Sequence, residues 1–333
     1  MKPWHLPLLA LLAAIALALS SWGDAATAAR AWLCAFVLVS TVPIGSLALL
    51  LVQGISGGRW GSDLAPALVP AARAIPLLFL VFLPVIVFRP LIYDWSALKL
   101  PHNVLAYYLN PFFFDARTLI GLAVWSLLAW TGAWRNQLFA ALGLVAHFIV
   151  MTFLPADWVR TIVPGSASAG FGMGFGIEQM FAALGFAAVL APQAAGRPTR
   201  DLAGILVTTL LGTVYFLYMA FLITWYGNVP EKVHWYVARA ANGWPLVMLA
   251  SFLIGAAAPF LAVLSPYVRR EPAALRIVGL LVLSGVALHV GWMVLPVYGG
   301  VAIAPSIFAI LLIAFAIWAV MRFSPFAERA HGR

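Results

Sequence analysis

The chain has 333 residues, of which 64% are hydrophobic and only 9% charged, with a mean hydropathy of +1.02. That balance excludes a soluble globular domain and specifies an all-α, polytopic membrane protein. The net charge of +9 is spread singly over short connections, which speaks against a nucleic-acid partner, and the one cysteine, Cys34, cannot build a disulfide framework, a c-type haem attachment or an iron–sulfur cluster.

Ten apolar stretches are long enough to cross roughly 30 Å of hydrocarbon as helices. They run over 4–21, 30–54, 74–93, 118–134, 137–155, 167–190, 202–226, 244–264, 274–296 and 302–321. The first, within residues 1–22, also has the outline of a secretory signal peptide, but consistent charge placement over ten spans favours a retained helix. With ten spans, one face collects Lys2, Arg59, Arg73, Arg135, Arg197, Arg200, Arg269, Arg270, Arg276, Arg322, Arg329 and Arg333, the majority of the 19 Lys and Arg. By the positive-inside rule this face is cytoplasmic, and both termini lie on it. The longest connection, 94–117, is rich in aromatics (Tyr107, Tyr108, Phe112, Phe113, Phe114) and reads as a segment lying along the outer interface.

Pro84 predicts a kink in the third span, because it removes one backbone hydrogen bond; Arg89 and Asp94, at that span's outer end, predict an ion pair or the guard of a proton exit. In the sixth span Gly170 and Gly174, and Gly172 and Gly176, form two overlapping GxxxG pairs that let another helix approach closely. No strand precedes these glycines, so they are not a nucleotide-binding loop.

Glu178 is the only carboxylate in the apolar run from Ala167 to Pro192. A charge at that depth costs about 2.5 to 3.5 kcal/mol on insertion scales, so such residues face a protein interior and usually carry a task. By helical rise, His147 on the fifth span shares its level. On the seventh span Thr208, Tyr215 and Tyr218 fall on one face and descend toward the bilayer centre, and His289 on the ninth lies deeper toward the outer side. These six residues are the ingredients of a proton relay; the bland alternative is a protonated structural Glu178, two packing histidines and two core tyrosines. A bis-histidine haem on His147 and His289 is not expected, since their heights differ and neither has a partner histidine on its own helix. No metal site is expected.

Three stretches go beyond what bilayer physics explains: PIGSLALLLVQGISGGRWG at 43–61, YLNPFF at 108–113 and TWYGNVPEKVHWYVAR at 224–239. With them the chain, from about Ala31 to Val297, resembles the ActF-type membrane subunit of bacterial alternative complex III, in the NrfD-like, polysulfide-reductase membrane-anchor family. The resemblance implies two four-helix bundles, 30–155 and 167–296, repeated in the same sense, with a last helix and cytoplasmic tail at 302–333. It implies a non-redox subunit of a quinol:cytochrome c oxidoreductase in the bacterial inner membrane, engaged in proton conduction and binding no cofactor alone, with quinone in the complex or nearby. The implied partners are an NrfD-like sister subunit, a multihaem cytochrome c, an iron–sulfur subunit, a terminal oxidase and lipid. A secondary transporter and a purely architectural subunit remain as alternatives.

Overall fold

The computed structural model describes residues 14, 15, 17, 18, 21–97, 107–166, 168, 170–190, 196–227 and 230–323. Regular structure within them is helical throughout. In chain order the helices are α1 (Ala25–Ser56), α2 (Arg59–Arg73), α3 (Leu77–Val87), α4 (Pro111–Thr131), α5 (Gln137–Val159), α6 (Phe171–Leu190), α7 (Arg197–Gly227), the short α8 (Pro230–Val237), α9 (Trp244–Leu264), α10 (Pro272–Val294) and α11 (Ile303–Phe323). Eight of these are long and apolar enough to cross a membrane, and α2 with α3 forms a ninth path bent by 42°. The chain is a multi-pass, all-α membrane protein; its expected first span, 4–21, lies almost wholly outside the described residues.

The bent path corrects the expected third span. Instead of starting at 74, it runs from Arg59, antiparallel along the whole of α1. A Cβ on Gly61 would press on the Gln53 side chain, while at the other end Trp32 Nε1 donates to the Val81 carbonyl (2.7 Å) and Arg30 Nε to the Leu91 carbonyl (3.0 Å). Arg59, Ser62 and Asp63 lower the apolarity of α2, yet its buried positions Leu64, Ala67, Leu68, Ala71 and Ala72 trace one helical stripe against the core. Arg73 therefore stands at the bend and not in a turn between spans. The bend itself lies at 74–76, before Pro76, where i→i+3 bonds replace the regular ladder; Pro84 sits inside an unbroken α3.

Helix α6 is the centre of the molecule, packed by α1, α5, α7 and α10, while α9 packs on α10 and α11 on α1. Small residues permit this crowding. A Cβ on Gly45 of α1 would fall 1.9 Å from the Gln179 carbonyl oxygen, and one on Gly172 would fall 2.0 Å from the Met151 carbonyl oxygen of α5. The two predicted glycine pairs divide between neighbours. Gly172 and Gly176 both face Met151, Gly174 faces Phe216 of α7, and Gly170 faces open space.

One end of the bundle is closed by aromatic rings and polar ties. Phe36, Phe82 and Trp158 meet with Phe114, Tyr93 and Trp95 in edge and tilted contacts, and Tyr93 donates to the Trp158 carbonyl (2.8 Å). Here Arg117 of α4 forks onto the fully buried Asp157 of α5 (2.7 and 3.2 Å) and lies over the Tyr108 ring. Tyr107, Phe112 and Phe113 are exposed at the same end, as an interfacial segment requires. This end also holds Arg160, and the opposite end is marked by Arg197, which bridges Asp63 of α2 (2.9 Å) and its own Asp201 (3.0 Å).

Candidate functional site

Glu178 projects from α6 toward α10, where His289 Nδ1 lies 2.6 Å from its Oε1. Both residues are 3% exposed. Counted from the shared helix ends, Phe171 and Val294, the two residues stand seven and five positions in, a difference of about 3 Å at the helical rise. His289 thus stands about 3 Å nearer that shared end than Glu178, in the direction its position along the span suggested, and its side chain still reaches the carboxylate.

Beside the pair lies a cavity of about 50 Å³, room for a few water molecules. Glu178, His289, Thr213 of α7 and Ser251 of α9 supply its polar lining, and Leu210, Leu217, Met248 and Phe252 its apolar walls. His289 Nε2 is buried and has no hydrogen-bond partner among the described residues. The imidazole stacks on Trp292 with ring centroids 5.9 Å apart, which fixes the plane in which its two nitrogens point.

The geometry depends on a π turn, Leu253–Ala257, that interrupts α9 beside the cavity. Pro259 cannot donate to the carbonyl four residues earlier, that of Gly255, so the ladder widens and Ala258 N–H bonds to the Leu253 carbonyl. Gly255 then packs directly on Gly285, and Ser251 Oγ donates to the Gly285 carbonyl (2.9 Å), one turn from His289.

A buried carboxylate and imidazole this close behave as one unit. With one shared proton the pair is either a carboxylate facing an imidazolium or a neutral acid facing a neutral imidazole, and both forms have no net charge. Adding or removing a proton leaves a bare charge in a low-dielectric interior, which costs several kcal/mol.

The other expected relay residues are placed differently. His147 is buried on α5, one turn from Met151, which brings it to the level of Glu178. It packs beside Trp125, and its Nδ1 has no partner among the described residues. Thr208, Tyr215 and Tyr218 do share a face of α7, but that face points away from the site: the two tyrosines are 57% and 58% exposed, and Thr208 bonds its own helix at the Gly204 carbonyl. The periodicity defined a face without its direction, and the face meeting the cavity is Leu210, Thr213, Val214 and Leu217. Arg89 does not pair with Asp94; it bonds Asp115 (2.5 Å) and Ser96 (3.0 Å), and Asp94 is exposed.

Residues not singled out in the sequence include Thr213 and Ser251; for Ser251, Pro259 in the same helix was the available signal of a disturbed ladder. Gln179 was also passed over: it is fully buried beside Glu178, with neither amide atom partnered among the described residues. Compared with known proteins, the chain matches no family model and no curated protein.

Proposed function

We propose that the chain is a proton-handling, non-redox subunit of a bacterial inner-membrane quinol:cytochrome c oxidoreductase of the alternative complex III kind. The resemblance of 43–61, 108–113 and 224–239 to that subunit family supports the assembly, and the distribution of Lys and Arg supports cytoplasmic termini. The single observation that carries the chemistry is the 2.6 Å contact between Glu178 and His289 beside a partly open pocket between α6, α7, α9 and α10.

In this reading a proton arrives from the cavity at His289 Nε2, giving an imidazolium. The proton on Nδ1 then passes to Glu178 Oε1, leaving a neutral acid beside a neutral imidazole that carries its proton on Nε2. Reversal returns the proton to the cavity, so the pair takes up and releases one proton through His289 Nε2.

The test has two parts. Affinity purification from the native membrane is expected to bring down an NrfD-like subunit, a multihaem cytochrome c and an iron–sulfur protein. In reconstituted vesicles, Glu178→Gln is expected to keep the complex assembled and electron transfer running while lowering protons moved per electron. An assembled variant with an unchanged ratio removes the proton-handling role.

A further inference from the structure

At the Arg160 end two guanidinium groups are withdrawn from solvent with no acid beside them among the described residues. Arg239 is 1% exposed and Arg160 8%, and both lie against the ring of Trp235, at 3.3 and 4.0 Å from its centroid. Among the described residues neither meets a carboxylate. Arg239 donates to the carbonyls of Trp235 (2.7 Å) and Met293, and its Nε, also buried, has no partner among the described residues. Arg160 donates twice to the Ser166 carbonyl. Carbonyl dipoles and an indole face offset only part of the cost of burying two like charges together. Burial, and then the charge of Arg160, push the Arg239 guanidinium down to about 9.

We propose that this pair is an oxyanion site that takes the phosphate of an anionic phospholipid. Guanidinium forks match phosphate oxygens, and a charged acceptor holds them more strongly than a neutral carbonyl. The short loop carrying the Ser166 carbonyl is exposed at Pro164 and Gly165, so a phosphate displaces that carbonyl from Arg160 without opening the helix bundle. The level selects a headgroup over a free ion. Phe221 packs edge-on against Tyr236, and Trp225 and Tyr226 are 69% and 87% exposed beyond it, which sets an aromatic shelf of the kind that lies among headgroups.

The experiment measures thermal stability and retained lipid of the purified full chain, after delipidation and on adding phosphatidylglycerol, phosphatidylcholine or inorganic phosphate. The expected result is a rise in melting temperature with phosphatidylglycerol only, and retention at least about tenfold weaker in Arg160→Gln, the loss of one charged hydrogen-bonding partner. Arg160→Lys, which keeps charge and folding but not the fork, is expected to fall between. Equal stabilisation by inorganic phosphate, or by phosphatidylcholine, overturns the lipid assignment. Glu231 stands on α8 four residues before Trp235; if Glu231→Gln destabilises the lipid-free chain as much as Arg160→Gln does, the counter-charge is internal and the proposal fails.

Discussion

A Cβ on Gly285 would lie 2.1 Å from the Cα of Gly255, and one on Gly255 would lie 2.6 Å from the Cα of Gly285, so α9 and α10 touch backbone to backbone one turn from His289. This approach seats α9 on α10 beside the cavity, while a Cβ on Gly279 would lie 2.5 Å from the Gly185 carbonyl oxygen, the close approach of α10 to α6 that lets His289 reach Glu178.

Gly285→Ala is therefore expected to destabilise the protein by about 1 to 3 kcal/mol, the usual cost of overpacking, or more, since backbone cannot yield as a side chain does. Gly204→Ala, at a helical position with nothing within 4 Å of the added Cβ, is expected instead to be neutral or to stabilise by about 0.5 to 1 kcal/mol through helix propensity. Thermal melts of both in the same detergent decide this; similar melting temperatures for the two variants contradict the backbone contact.

Removing one partner of the buried pair strands the other. His289→Leu is expected to cost about 3 to 5 kcal/mol, and the double variant Glu178→Leu with His289→Leu to recover most of that, because a buried pair replaced by apolar groups is often neutral. A double-mutant cycle by denaturation reads the coupling, and additive losses show that the two side chains do not interact.

Two ion pairs allow the same comparison at different burial. Asp157 is fully buried and held by the Arg117 fork, so Asp157→Leu is expected to cost about 3 to 5 kcal/mol. Arg197 and Asp201 are 41% and 37% exposed, and Asp201→Asn is expected to change stability by less than about 1 kcal/mol.

Tyr215→Phe and Tyr218→Phe are expected to leave proton movement per electron in the assembled complex unchanged, since both phenols point out from the bundle. A lowered ratio in either single variant places a proton path on the outer face of α7 and not at the cavity.

The charge on Arg239 predicts opposite pH trends for empty and lipid-bound protein. Its folded value of about 9 lies below the ordinary 12.5, through burial and the facing Arg160, so between those values the unfolded chain holds more protons. The facing phenols Tyr236 and Tyr298 are both pushed up by burial and stay neutral in the lower part of that window. The delipidated chain is expected to gain stability as pH rises through about 9. Stabilisation by phosphatidylglycerol is expected to fade over the same range. Melting curves at stepped pH, with and without lipid, test both trends.

Much of this architecture was legible in the residues. Runs of apolar side chains are a local property, and they located the described spans with one exception. Helix α2 hides its buried stripe behind Arg59, Ser62 and Asp63, and only its packing along α1 shows that it belongs to a membrane path. Glu178 was legible because an acid in a long apolar run has few places to go. Its partner was not, since His289 is 111 residues away and competed with His147, an imidazole of similar depth.

By itself the sequence determined the class, most of the spans, the close packing around α6 and the existence of one interior acid that had to be accommodated. Which imidazole meets it, which way the tyrosine stripe of α7 faces and how two arginines come to share one indole were decided by tertiary structure. Helical periodicity fixes a side chain's angle about its own axis. The rotation of that axis toward its neighbours depends on contacts among residues far apart in the chain, such as Gly45 with Gln179 and Gly255 with Gly285, and no local pattern encodes it.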